Sequence, residues 1–344
     1  MEIRRVQVTG GASYVVTLPK DWAEGQKIRK NDPVGIVIQP DGTLLITKKI
    51  TDEQPQRVKE IDSSTIADPA LLFRILIGAY ITGFSTIRVT AKDLFSPFVR
   101  TVVRDYTQMT IGQEVVEETP AAITIKDLLN PAEMPFDNTI KRMYVIVRAM
   151  HEDAITALGT QNRMLAQDVI SRDTDADRLN WLIARQTTMI MHNPALSRKM
   201  GVSPGMAMNY LLLSRIIERV GDHAVRIAEH SLPVMSSEFD KKILAAIQKS
   251  SAMSLEIFDR SIVSFFNTDM KEAHRNIESI HALEKICGDI NNMVLRQDTL
   301  LAINAGYIAE SIRRSGEYAG DISETVINLL VENEDGIHRK RSSR

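Results

Sequence analysis

Residues 210–229 read YLLLSRIIERVGDHAVRIAE. At about 100° per residue Leu212, Leu213, Ile216, Ile217, Val220, Ala224, Ile227 and Ala228 share one broad face, the pattern of a helix with a buried side. Glu218, Asp222 and Glu229 fall within about 40° of one another on the opposite side, because separations of four and eleven residues return to nearly the same azimuth. Like charges four apart cost an isolated helix roughly 0.2–0.5 kcal/mol, so such a stripe either has cations beside it or awaits one. Arg215, Arg219 and Arg226 lie on its flank. An acid–arginine helix face exposed to water is the plain reading, and a cation site is the sharper one.

The stretch recurs 95 residues later as ESIRRSGEYAGDISETVINLL, residues 310–330. Gly221, Ala224 and Glu229 match Gly316, Ala319 and Glu324, and Asp222 matches Glu317. Ile308, Ile312, Ile322, Val326, Ile327 and Leu330 form the second apolar face, with Glu310, Glu317, Asp321 and Glu324 on the other. A pattern repeated with both its core and its charge points to a duplicated structural unit.

Within the first copy, ERVGDHAVRIAEH (218–230) resembles the signature of the PhoU family of helical phosphate-uptake regulators, and the resemblance spans Asp137 to Leu330. It implies repeats that each end in a helix carrying an E(D)xxxD metal motif on the bundle surface. Glu218 and Asp222 fit that motif. Glu317 and Asp321 have its spacing one turn later, while Arg313 stands at the position matching Glu218. Asp173 and Asp177 on the preceding helix are the side chains that would converge on the first stripe. Carboxylates without cysteine suit hard divalent cations or iron-type ions of unknown identity.

The helices expected around these signatures are Asn138–Leu158, residues 163–191, and one opened by the Ser203-Pro204 cap; then residues 239–266, 269–296 and 299–331. Three long helices per repeat predict a pair of three-helix bundles in tandem, bounded at 133–234 and 235–331. Asp173, Asp177, Trp181 and Ala184 lie along one line of the second helix, and His192-Asn193-Pro194 breaks it. The tail, 332–344, ends HRKRSSR and is expected to be disordered, with a possible affinity for DNA or RNA.

At the other end, residues 1–50 hold eight Lys or Arg against five Asp or Glu, in a chain of 344 residues with net charge -2. Strands are expected at Arg4–Thr9, Tyr14–Leu18, Pro33–Gln39 and Thr43–Thr47, separated by Gly10-Gly11, a polar segment and the hairpin pair Asp41-Gly42. Four short strands cannot bury a core alone, which calls for a homodimer or a multiple of one. LPK, KIRKNDPV and the closing hairpin resemble the SpoVT/AbrB-type swapped-hairpin domain, which implies a dimeric DNA-binding module. Arg4, Arg5, Lys20, Arg29 and Lys30 are its candidates to face phosphates, each presented twice in a dimer.

Between the two lies a small α+β connector, 51–132, with residues 50–66 as a linker or last strand. Asp68-Pro69 and Ser96-Pro97 open helices, and strands are expected at Thr86–Thr90, Gln113–Glu118 and Ala121–Ile125. It presents no phosphate-cradling glycine loop and no catalytic cluster.

The fold class is therefore multidomain: a β swapped-hairpin dimer, an α+β connector and a PhoU-like pair of all-α bundles. One cysteine, Cys287, excludes an internal disulfide, and neither a signal segment nor a run of about 18 apolar residues is present, so a cytoplasmic location is expected. Only Glu278-Ser-Ile-His281 has the Glu-x-x-His spacing of di-iron bundles, and no nucleophile elbow, P-loop or HExxH occurs, which argues against an enzyme. His223 reads as a packed histidine. The function expected is a DNA-binding regulator of phosphate uptake and homeostasis, with a phosphate transport system or its sensor as partner. The alternative is a dimeric adaptor that does not bind DNA and acts through protein contacts.

Overall fold

The structure, a computed structural model, describes residues 2–38, 42–48, 57–236 and 240–341, with side chains to residue 331. It divides into two compact units, Met1–Pro55 and Gln56–Arg344.

In the first unit β1 (Gln7–Thr9) and β2 (Ser13–Val15) pair antiparallel, Gln7 opposite Val15. The turn runs through Gly10 and Gly11 at φ +64° and +87°, left-handed backbone that glycine adopts without a Cβ penalty. Both strands are shorter than the expected ones. A short helix, α1 (Lys20–Gly25), follows Pro19 where the sequence reading placed only a polar segment. Its six residues are too few to display a period. The second hairpin joins β3 (Gly35–Ile38) to β4 (Leu44–Thr47); Gly42 has φ +83°, while Asp41 lies outside the described residues. Lys48 Nζ donates to the carbonyls of Gln26 and Lys27, both at 3.0 Å, tying the end of α1 to the last strand.

No described residue of this unit is buried. Val8 is 63% exposed, Tyr14 80%, Ile36 63%, Ile38 72% and Leu44 61%, so each of the four strands carries apolar surface with nothing on it.

The second unit begins with β5 (Val58–Asp62), an edge strand that resolves the linker-or-strand ambiguity of residues 50–66 in favour of a strand; residues 49–56 are outside the described set. Then come α2 (Pro69–Ile81), β6 (Thr86–Thr90), α3 (Pro97–Met109), β7 (Gln113–Glu118) and β8 (Ala122–Asp127). The sheet order is β5-β6-β8-β7, with β5 parallel to β6 and the other pairs antiparallel. Leu72, Leu76, Tyr80, Val99, Val103 and Tyr106 of the helices bury against Ile61, Ile87, Val89, Ile123 and Ile125 of the sheet. Asp68 caps α2 by accepting from Ala70 N, whereas Ser96 makes no side-chain cap to α3, unlike the expectation that the two helices start alike.

Seven helices follow: α4 (Phe136–Thr160), α5 (Arg163–His192), α6 (Pro194–Met200), α7 (Pro204–Ser231), α8 (Lys241–Asn267), α9 (Met270–Val294) and α10 (Thr299–Arg341). Ser203 caps α7 by accepting from Met206 N. Asn193 does more than break α5: its side chain accepts from Ala195 N and Leu196 N and starts the unexpected α6. Helix α10 runs on to Arg341, across most of the segment expected to be disordered; extending a formed helix needs no new nucleus.

Helices α4, α5 and α7 pack as one bundle and α8, α9 and α10 as the other. The tandem expected from the sequence is closer than that, since α7 lies on α10, α4 touches α8, and one continuous apolar core runs from Phe136 to Val326. The contact is antiparallel: His230 stacks on Tyr307 at 4.5 Å, and His223 meets Tyr318 at 5.6 Å. Glycines let neighbours approach, with the pro-Cβ direction of Gly221 against Val147 and that of Gly316 against Leu283. These are the two glycines matched between the repeats.

One side chain clamps the α+β layer to the bundle. Arg185 of α5, 3% exposed, donates through Nε and Nη2 to Asp127 Oδ2 (3.0 and 2.5 Å), through Nη1 to the Tyr80 carbonyl (2.5 Å) and through Nη2 to the Phe84 carbonyl (2.9 Å). Beside it Gln186 Nε2 donates to the carbonyls of Pro131 and Met134, and Trp181 meets Phe73 edge-on at 6.4 Å.

Candidate functional site

The first acidic stripe lies in the seam between α5 and α7. Asp173 and Asp177 stand one turn apart on α5, and Glu218 and Asp222 one turn apart on α7; all four are half-buried, while Glu229 is exposed. The sequence placed the stripe on the surface opposite the core, but α7 is covered on several sides, so its polar face closes on α5. Leu212, counted with the apolar face, is 47% exposed.

The carboxylates act on one another. Burial, then Asp222, Asp177 and Asp173, pushes Glu218 up to about 7 against the opposing pull of Arg219. Burial, then Asp173 and Asp222, raises Asp177 to about 6, and Asp173 is raised by burial, Asp222 and Glu229. Asp222 is raised by burial, with Arg226 and Arg219 opposing. Among the described residues none of these four carboxylates takes part in an ion pair. The donor set is hard oxygen with no paired counter-charge, Arg219 and Arg226 acting on it only from exposed positions, which suits a di- or trivalent cation. Among the described residues no three Asp, Glu, His or Cys side chains stand close enough to hold one, so chelation needs side-chain rotation across the seam.

A pH dependence follows. Carboxyls whose folded pKa is raised make the folded state bind more protons than the unfolded chain, so their contribution to stability falls as pH rises from about 4 to about 7. The buried His151 and His223, both lowered to about 4 chiefly by burial, work in the opposite sense below pH 6.5. The carboxylate contribution is therefore isolated by difference: Glu218→Gln is expected to raise the melting temperature at pH 8 and leave it unchanged at pH 5. Equal shifts at both pH values would show that Glu218 is not strained by its neighbours.

The second repeat is built differently. Arg313 Nε and Nη2 donate to the two oxygens of Glu310 at 2.9 and 2.7 Å, and Nη1 pairs with Glu317. Arg314 adds contacts to Glu310 and Glu317 at 3.1 and 3.2 Å. Asp321 is exposed as a residue, but its carboxyl is partly desolvated against the bundle and is raised by that and by Glu324. Of the pair expected to bind metal here, Glu317 is already neutralised.

His223 is 7% exposed, as a packed histidine should be, and its Nδ1 has no partner among the described residues. His151, which the sequence did not single out, is fully buried with Nε2 3.0 Å from Ser251 Oγ. His281 is exposed beside Glu284 at 3.4 Å.

In the first unit all five basic candidates are exposed. Arg4 and Arg5 precede β1, Lys20 opens α1, and Arg29 and Lys30 lie in the turn before β3, where Asp32 Oδ2 accepts from Arg29 N at 2.9 Å. Arg4 pairs with Glu2 at 2.8 Å and Lys20 with Glu24 at 3.7 Å, exposed pairs worth about 0–1 kcal/mol that a phosphate can displace.

The sequence profile of the PhoU domain matches residues 140–231, which is α4 to α7 with the seam inside it. The chain carries a PhoU domain. Ahead of it, residues 7–54 match the profile described as antidote-toxin recognition MazE, bacterial antitoxin, a MazE/AbrB-like domain where the SpoVT/AbrB-type resemblance was expected. The chain is 25% identical over 198 residues to the phosphate-specific transport system accessory protein PhoU homolog 1 of Thermotoga maritima, covering 55% of this chain and 83% of that protein. It is 28% identical over 145 residues to the PhoU homolog of Aquifex aeolicus, covering 42% of this chain and 64% of that one. The crystal structure of PhoU from Pseudomonas aeruginosa superposes with a TM-score of 0.52 at 17% identity, covering 57% of this chain and 96% of that one. That likeness confirms the PhoU-type arrangement of the helices. No helix among the described residues is long and apolar enough to cross a membrane.

Proposed function

We propose that the chain is a dimeric, DNA-binding regulator of phosphate uptake, in which PhoU-type bundles take up cations and pass phosphate status to the N-terminal unit or to a partner. The observation that carries the reading is the first unit itself: apolar residues are exposed on all four of its strands and no described residue is buried. A second copy, interleaving its hairpins as in a SpoVT/AbrB-type dimer, would cover them and double the set Arg4, Arg5, Lys20, Arg29 and Lys30. The phosphate assignment draws on the relatives from Thermotoga maritima and Aquifex aeolicus, both phosphate-specific transport system accessory proteins. A phosphate transport system or its sensor is the partner class they suggest, and the location proposed is the cytoplasm.

The mechanism is binding rather than catalysis. Asp173, Asp177, Glu218 and Asp222 would hold the cation, which when bound supplies the positive charge the seam lacks. Helix α5 carries Asp177 at the seam and Arg185 at the clamp, eight residues or about 12 Å apart along a rigid element, so movement at one is felt at the other.

Fluorescence anisotropy of genomic promoter fragments tests the DNA step. The full chain is expected to bind, and alanine at Arg4, Arg5, Lys20, Arg29 and Lys30 together to abolish binding. Equal binding by that variant would overturn the assignment of this face. The match of residues 7–54 to an antidote-toxin recognition profile favours a second reading, an adaptor that dimerises and works through protein contacts. Absence of DNA binding by the full chain at low salt would select it.

A further inference from the structure

The two repeats are charge-inverted at one pair of positions. Arg215 and Glu218 in the first correspond to Glu310 and Arg313 in the second, 95 residues on, in the register fixed by Gly221/Gly316, Ala224/Ala319 and Glu229/Glu324. The order has consequences on a helix. An acid placed N-terminal to its base is the favourable orientation, and in the second repeat Glu310, Arg313, Arg314 and Glu317 form a closed set of four contacting residues. In the first repeat the reversed order leaves Arg215 exposed, and no ion pair joins it to Glu218 among the described residues.

We infer that the second repeat carries its own cation: the Arg313 guanidinium, fixed between Glu310 and Glu317, occupies the place that the first repeat leaves for a metal ion, so only the first repeat loads metal. A guanidinium fits the part. It is planar, permanently charged, and presents a fork of donors that spans two carboxylates. Arg313 uses three of its nitrogens in this way, Nε and Nη2 on Glu310 and Nη1 on Glu317. The Arg313 charge acts on the buried Cys287, so the ion pair borders the core of the second bundle while Glu310 keeps 42% of its side chain in solvent.

The electrostatics of the two sites differ accordingly. Glu310 accepts from Arg313 at 2.9 and 2.7 Å and from Arg314 at 3.1 Å, whereas Glu218 takes part in no ion pair among the described residues. One cluster is satisfied and the other is short of positive charge. The consequence for regulation is an asymmetric molecule. Cation supply changes the bundle that carries α5 and the Arg185 clamp, and leaves the α8–α10 bundle unaffected as a constant platform for α7.

The inference rests on metal binding at the first repeat for its contrast, and the test separates the two. The full chain is titrated with Mn2+ and the free ion is followed by its EPR signal, for the parent, Glu218→Ala with Asp222→Ala, Arg313→Glu, and Arg313→Glu on the Ala/Ala background. Arg313→Glu restores the acid found at the matching position of the first repeat. The expected result is that the parent's bound Mn2+ disappears in the Ala/Ala variant, and that Arg313→Glu gains a further class of bound Mn2+ that survives on that background. Arg313→Gln removes the charge without adding another; its melting temperature is expected to drop and to be restored by Mn2+, which keeps the test open should the glutamate variant fold poorly. If Arg313→Glu is folded and binds no more Mn2+ than the parent, or Arg313→Gln is unaffected by Mn2+, the arginine does not stand in for a metal. Mn2+ that persists in the Ala/Ala variant and is lost with Glu317→Ala would also overturn the inference. A parent that binds no Mn2+ beside an Arg313→Glu variant that does would remove the first-repeat reading and leave the role of Arg313 standing.

Discussion

Replacing Arg185 with methionine is expected to destabilise the second unit by about 3–5 kcal/mol, the cost of leaving one member of a buried ion pair unpaired. The magnitude follows from what is orphaned. Asp127, 7% exposed at its side chain, loses the guanidinium on Oδ2 and keeps only the Leu129 N–H on Oδ1 at 3.1 Å. The Phe84 carbonyl, just beyond α2, loses its donor as well, while the Tyr80 carbonyl at the end of α2 loses the guanidinium but keeps the Gly83 N–H at 3.0 Å. Thermal unfolding followed by circular dichroism measures the effect. Adding Asp127→Asn to Arg185→Met removes the stranded charge and is expected to recover part of the loss. A melting temperature unchanged by Arg185→Met would mean that the apolar contacts around Trp181 and the Gln186 hydrogen bonds suffice to hold the α+β layer to α5.

The second large effect concerns salt. If the five basic residues of each copy meet phosphates in a dimer, the contacts fall in the range where affinity for DNA drops roughly 10³–10⁵-fold between about 50 and 200 mM salt. Single alanine substitutions at Arg5, Arg29 or Lys30 are expected to lower the slope of log affinity against log salt and to weaken binding alike across sequences, as phosphate contacts do. An affinity insensitive to salt would mean that the exposed basic residues of the first unit are not the contact surface. A slope unchanged by the substitutions would place the contact elsewhere, with the basic end of α10 the next candidate.

Much of the helical architecture was legible because long amphipathic helices announce themselves. The apolar positions of α4, α5, α7 and α10 recur over many turns, and Asp68 and Ser203 mark helix starts by the side-chain caps they make. The duplication was legible through its glycines, whose structural reason is the close approach of Val147 and Leu283. Short elements were not. Helices α1 and α6, of six and seven residues, offer no period to read.

Partner-dependent features were also hidden. The azimuth of Glu218 places it away from one apolar face, but α7 packs on α4, α5 and α10 together, so a side opposite one neighbour meets another. Arg185 was invisible for a related reason: it sits one residue past the line of Asp173, Asp177, Trp181 and Ala184, and arginine is ordinarily a surface residue. Its signal, a buried Arg-Gln pair following an aromatic residue in a long helix, gains meaning only once Asp127 is brought to it. Arg313 was noted as a departure from the repeat; the geometry supplies what it does, which is to neutralise Glu310 and Glu317.

The most direct test of the whole account is the mass of the full chain in solution, since in the proposed reading a second copy covers a first unit none of whose described residues is buried and completes the paired basic face. Sedimentation equilibrium at micromolar concentration is expected to give twice the 38.6 kDa chain mass or a multiple of that dimer. A single species of 38.6 kDa would contradict the dimer, and the DNA-binding reading that depends on it.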